Sequence, residues 1–190
     1  MANKVKFGIK NVHVAVLTED AQGNITYGSP VAIPGAVSLS ADPAGETTPF
    51  YADNVKYYIA NSNQGYTGTL EVAMLQDTIL TTLLGQTADT NGAVLEKADD
   101  KEKRFALMFE VDGDSKNRRT VYYDCTASRP STAANTIEES KTPQTDTLNI
   151  TMNPRNTDLK IKCVMEETAE NVTAFNAFFQ SVYEGPSASV

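Results

Sequence analysis

The chain contains no tryptophan, a single histidine, two cysteines and no apolar run near the roughly 20 residues that span a bilayer as a helix. Each scarcity removes a class of function. With His13 alone there is no histidine pair for zinc and no base from which a Ser-His-Asp arrangement could be built. Within its valine-rich stretch, His13 reads as a surface-facing strand residue. Cys125 and Cys163 form no CxxC motif and have no metal-ligand spacing, so both read as free thiols on the apolar side of strands. Glycine-rich phosphate loops are missing as well. The 16 Lys and Arg against 24 Asp and Glu give a net charge of −8, and the densest basic stretch is Arg118-Arg119. A protein that grips nucleic acid needs a basic surface, because neutralised phosphates and released counterions supply its affinity. The start, Met1 to Lys6, alternates polar and apolar residues without a signal-peptide core, which leads us to expect synthesis in a cytoplasm. Three Asn-x-Thr sequons, at Asn24, Asn149 and Asn171, are what chance yields in a chain this rich in Asn, Ser and Thr.

What the chain does have is a period of two. Val5, Phe7 and Ile9 alternate with lysines, and Val12, Val14 and Val16 follow. Further apolar rows are Leu70-Val72-Met74, Phe105-Leu107-Phe109-Val111, Val121-Tyr123-Cys125-Ala127, Leu148-Ile150-Met152 and Leu159-Ile161-Cys163-Met165. Polar residues fill the alternate positions, as in antiparallel strands buried on one face. Gln22-Gly23-Asn24, Asp112-Gly113-Asp114 and Asn153-Pro154-Arg155-Asn156 read as hairpin-like turns between them. The expectation is a mainly β, antiparallel sandwich or barrel of roughly eight to ten strands, occupying residues 1–190 as one domain.

Two stretches follow helical spacing instead. Asp77 to Leu84, with Asp77 as a cap and Gly85 as a stop, predicts one short flanking helix. Residues 170–184 place Val172, Phe175, Phe178, Phe179 and Val182 on one face of a C-terminal amphipathic helix, for core packing or for docking on a neighbouring subunit. Residues 185–190 predict a flexible tail. Residues 40–66 fit neither period and hold Pro49, Phe50, Tyr51, Tyr57, Tyr58 and Tyr66. So many aromatics argue against disorder, and an extended hairpin that orders on a partner suits them. Residues 129–144, with Glu138-Glu139, predict an exposed loop, and Asp99 to Arg104 a solvated one. Asp112-x-Asp114 lacks the glycine and glutamate of a calcium loop. Adjacent carboxylates such as Glu166-Glu167 point to opposite faces of a strand, which is poor geometry for shared acid–base work. No catalytic set, metal site or cofactor is expected.

Five blocks, Lys4–His13, Ile33–Ser40, Thr48–Asp53, Ala60–Tyr66 and Thr145–Ile150, occur in an order that resembles the major tail proteins of long, non-contractile-tailed bacteriophages and prophages. The resemblance runs from about Lys4 to Met165. It implies a tail-tube β-sandwich that self-assembles into stacked, usually hexameric rings, with edge strands pairing between subunits. Residues 40–66 would then be the inter-ring arm, and 170–184 a possible subunit-docking helix. Implied partners are other copies of the chain and tape-measure, tail-terminator and distal-tail proteins, with double-stranded DNA passing through without specific binding. The virion tail, assembled in the host cytoplasm, would be its location. The alternative is a receptor- or carbohydrate-binding β module of a tail tip or cell surface, for which clustered exposed aromatics including tryptophan would be typical.

Overall fold

The computed structural model describes residues 3–136 and 143–186. Strand β1 (Lys6–Glu19) turns through Asp20–Asn24 into β2 (Ile25–Tyr27), and β3 (Val31–Ala32) folds back beside it. Next, β4 (Ala36–Pro43) leads into a projecting hairpin, β5 (Thr47–Ala52) and β6 (Val55–Asn61), and returns as β7 (Tyr66–Val72). Helix α1 (Asp77–Leu83) precedes a short pair, β8 (Thr87–Ala88) and β9 (Val94–Leu95). The chain then forms β10 (Phe105–Gly113), β11 (Arg118–Ala127), β12 (Asp146–Asn153), β13 (Lys162–Glu166) and α2 (Val172–Ala177). The protein is mainly β and antiparallel, as the period of two predicts. Nine strands share one sheet in the order β2-β1-β10-β11-β12-β7-β4, with β3 added to β1 and β13 to β11.

The sheet rolls, so that Val12 and Val14 of β1 meet Leu70 and Val72 of β7 in one core with Leu107, Leu148 and Ile150. Helix α1 closes that core with Ile79 and Leu83. Its cap differs from expectation. Gln76 holds the cap position without a side-chain bond and Asp77 is the first helical residue, where a carboxylate still opposes the helix dipole. Gly85 follows the C-cap at φ +74°, the left-handed stop its residue type predicts.

A second core lies on the opposite face of β1, β10 and β11. Ala15, Ala106, Met108, Val121 and Tyr123 pack there under Phe175 and Phe178. Both faces of these central strands are therefore buried, where the sequence pattern implied one. Strand β11 also departs from its expected single face. Phe105 pairs with Cys125 but Leu107 with Tyr122, so β11 carries an extra residue between them. That bulge sends Val121 and Tyr123 to the second core and Cys125 and Ala127 to the first. Burial raises the Cys125 thiol well above its ordinary value, leaving it protonated and inert.

At the same bulge β11 changes neighbours. Its residues Arg118–Tyr122 pair with β13 and Asp124–Ala127 with β12. Asn153–Asn156 is accordingly no hairpin turn, because β12 and β13 lie end to end along one edge of β11. Leu159 sits outside any strand at φ +58° and is exposed, off the face assigned to it. Val5 and Phe7 are exposed too, Phe7 at 71%, because β1 irregularly shifts register against β10 between Lys6 and Ile9 and between Lys10 and His13. Arg104 is not simply solvated. It donates to both carboxylate oxygens of buried Asp124, at 2.8 and 2.5 Å, and to Glu19 at 2.7 Å. Residues 137–142 and 187–190, parts of the expected loop and tail, lie outside the described residues.

Gly65 stands where β6 gives way to β7, at φ +101°, and an added Cβ would lie 2.0 Å from the Met152 carbonyl oxygen. Gly65→Ala should lower the unfolding free energy by roughly 2–4 kcal/mol. Gly23→Ala, also at positive φ but with open space around it, should cost only about 1 kcal/mol. Thermal unfolding of the two variants checks the difference.

Candidate assembly surfaces

Hairpin β5–β6 continues the β4–β7 ladder past a bend. Ala44 N donates to Gly65 O at 2.9 Å, Gln64 N to Ala44 O at 2.9 Å and Ser62 N to Glu46 O at 3.0 Å. Two tight approaches shape the bend: Gly45, at φ +158°, faces the Ser62 carbonyl, and Gly65 faces that of Met152. At the tip, Asp53 and Asn54 both have positive φ, 52° and 62°, giving a two-residue turn that matches strand twist. Register runs Thr48 to Ala60, Pro49 to Ile59 and Phe50 to Tyr58, then shifts, leaving Tyr57 as an extra residue.

β5 and β6 form their own two-stranded sheet, joined to no other strand among the described residues. Such a ribbon is marginal alone in water. Yet Phe50, Tyr51, Tyr57 and Tyr58 are 59–73% exposed, with Val55 and Ile59 beside them. The apolar side chains lie on both faces of the ribbon, since Pro49–Ile59 and Phe50–Tyr58 are successive pairs. Tyr66 belongs elsewhere. It opens β7, half-buried, with its ring 5.5 Å from Tyr122 and the Lys162 ammonium 4.4 Å above it. The projecting arm is thus residues 47–61, shorter than 40–66.

Helix α2 is likewise shorter than 170–184, because the chain leaves helical geometry after Phe178. Phe175 and Phe178 are buried in their own subunit's second core and present nothing to a neighbour. Phe179 stacks on His13 at 4.8 Å, so the histidine is half-buried beneath a ring and not surface-facing. Arg119 fixes this helix: its guanidinium lies 3.9 Å from the Phe175 ring centre and donates to the Phe175 carbonyl. Buried Glu110 balances Arg119 at 2.7 Å, which satisfies a charge that would otherwise be costly to bury.

A second clamp holds the following segment. Arg155, 4% exposed, donates to both oxygens of Asp158, to Glu184 at 2.8 Å and to the Tyr27 hydroxyl at 3.2 Å. Tyr123 donates to the Tyr183 carbonyl at 2.9 Å. Burial pushes the Tyr27 phenol up to about 12. Nothing in the sequence distinguished Arg155 from a turn residue. Among the described residues no group of three or more His, Cys, Asp or Glu is placed to hold a metal ion, and no helix is long and apolar enough to cross a membrane.

The family model described as phage tail tube protein matches residues 2–172. The chain belongs to the phage tail tube protein family. Its fold also matches a cryo-EM structure described as the anti-feeding prophage cap, the tube-terminating cap of that assembly. That likeness has a TM-score of 0.50 at 8% identity and covers 88% of this chain and 97% of the other. It is a likeness of fold. No curated protein sequence matches the chain. As a tail tube protein it has a structural role in the virion tail, and the family match ends at the first residue of α2.

The Arg155 clamp makes a pH-dependent contribution. The guanidinium holds the Asp158 carboxyl below its ordinary 3.8. A depressed carboxylate stabilises above its unfolded value and loses that contribution as pH falls through the folded one. Asp158→Asn should therefore lower Tm at pH 7, and the gap to the parent should narrow steadily below about pH 4. Thermal unfolding from pH 7 to pH 2 measures it.

Proposed function

We propose that the chain is the repeating subunit of the tail tube of a long, non-contractile-tailed phage or prophage, stacking as hexameric rings into a conduit for genome delivery. The observation that carries this reading is hairpin β5–β6, whose rings are exposed while it pairs with no other strand among the described residues of its subunit. Exposed apolar surface of this kind marks an interaction site. In the tube, Pro49, Phe50, Tyr51, Tyr57 and Tyr58 contact the adjacent ring, where aromatics supply much contact area for little lost freedom. Tyr66 anchors the arm's root instead of touching the neighbour.

Lateral contacts use sheet edges. The sheet ends at β4, and its outer edge carries no strand among the described residues. An open edge is a template for another chain, and a closed ring removes it. Tape-measure, tail-terminator and distal-tail proteins are the remaining partners, and assembly takes place in the host cytoplasm. A glycan-binding role fits less well, because the arm's aromatics are divided between two faces of a ribbon and offer no single platform.

Negative-stain electron microscopy of the concentrated chain should show hollow tubes or rings. Deleting Thr47–Ala60 should leave a monomer whose Tm is close to the parent's, since the arm adds no residue to either core, and should abolish tubes. Intact tubes from that deletion would refute the arm's role.

A further inference from the structure

The two ends of the rolled sheet carry different chemistry. At the end where β11 begins, a cleft of about 350 Å³ opens beside β13. Lys6, Arg118 and Lys162 rim it over a floor of Phe109, Tyr122 and Val164, and Val164 is 43% exposed there. Nearby cations already hold their own counter-charges: Lys10 meets Asp112 at 2.6 Å and Arg119 meets Glu110 at 2.7 Å. Arg118 reaches Glu166 only at 3.9 Å. Among the described residues Lys6 and Lys162 have no carboxylate partner. The Lys162 ammonium lies instead over the Tyr66 and Tyr122 rings, at 4.4 and 5.9 Å. An apolar floor beneath unpaired ammonium groups suits a partner that is itself apolar and acidic.

At the other end, where β11 finishes, stands a second ribbon. β8 and β9 pair only with each other among the described residues. Glu96, which follows β9, meets Arg129 just past β11 at 3.1 Å. Helix α1, which leads into the ribbon, is tied to the run before β10 by Lys103 N donating to Leu83 O at 2.7 Å. Since β11 alone spans roughly 30 Å, cleft and ribbon stand too far apart to meet within one subunit. No Lys or Arg occurs between Lys56 and Lys97, a stretch that holds Glu71, Asp77, Asp89 and Glu96. On the ribbon Leu95 is 49% exposed. Exposed Asp89 stands at its turn, where Oδ1 accepts from the Ala93 and Asn91 amides at 2.8 Å. Those amides hold its carboxyl below the ordinary value, so it stays charged.

We infer that the cleft receives the β8–β9 ribbon of a second copy, with Leu95 over the apolar floor and Asp89 among the three cations. Copies then join head to tail along the tube. The inference rests on the tube reading above and names a contact separate from the β5–β6 arm. Tyr66, at the arm's root, lies against Lys162, so the arm leaves the subunit at the cleft's end, toward the same neighbour. A contact between two unlike surfaces of one chain leaves a free cleft and a free ribbon at the ends of any stack, and so propagates. Charge also sets its polarity, because cleft against cleft or ribbon against ribbon would bring like charges together.

Cross-linking between copies tests it. Leu95→Cys and Val164→Cys are combined in a Cys163→Ser background, assembled into tubes and treated with a short bis-maleimide. Denaturing gels should show a ladder of dimers, trimers and longer chains from tubes, and monomer from dispersed subunits. Either cysteine alone should give no ladder. Intact tubes of the double variant without a ladder would overturn the assignment and leave the tube reading untouched. If the double variant folds without assembling while the parent forms tubes, Asp89→Asn and Lys6→Gln decide. Asparagine keeps the acceptor of the Asp89 turn, so each change removes a charge and little else. Each should raise the concentration at which tubes form by roughly tenfold, and an unchanged threshold in both would overturn the assignment. A parent chain that forms no tubes would defeat the tube reading, and this contact with it.

Discussion

The bulge in β11 between Tyr122 and Cys125 is the constraint on which the architecture turns. One extra residue moves the strand's apolar side chains from one core to the other and lets β12 and β13 share a single edge. A regular strand would put Val121 and Cys125 on the same face, and one core would then gain side chains that the other lost. With the bulge, the rolled sheet and the α2-covered face are both filled from the same central pair of strands. Asp124 falls inside the bulged stretch, and Arg104 is what makes its burial tolerable.

Buried packing and exposed aromatic surface occupy different parts of the chain. Large buried residues such as Phe105, Tyr123 and Phe178 belong to the two cores, whereas Phe50, Tyr57 and Tyr58 are left out of both. Charge is divided similarly. Three of the paired arginines, Arg104, Arg119 and Arg155, pin inner features of the fold, while strands β4, β7 and β12 carry no Lys or Arg. A subunit organised this way can change the residues of one surface without disturbing the packing of the other.

Much of this was legible in the sequence because strand alternation is a local signal. Leu148-Ile150-Met152 and, of the row Leu70-Val72-Met74, its first two residues read directly as inward faces, whereas Met74 lies beyond the end of β7 and is exposed; the Pro- and aromatic-rich break between two strands marked the projecting hairpin. Long-range effects were not legible. The second face of β10 becomes buried only because α2 returns to it over more than sixty residues, so Ala106 and Met108 looked like ordinary alternate positions. Phe7 has the alternation of a core residue, but the register shifts of β1 leave it exposed. Arg155 lies in a turn-like sequence and acquires its partners from Tyr27 and Glu184, far away along the chain. Tyr66 was grouped with the arm because proximity in sequence cannot separate a ribbon from its root.

The arm's isolation has a dynamic consequence. Its ladder belongs to no larger sheet and contributes no side chain to either core, so it can open while the rest of the subunit stays folded. The backbone amides of β5 and β6 then exchange with solvent through a local opening, whereas those of β10 and β11 wait for the whole domain to unfold. The ordering of the ribbon is thereby a property of the surroundings as much as of the chain, set by how often a second surface lies against it.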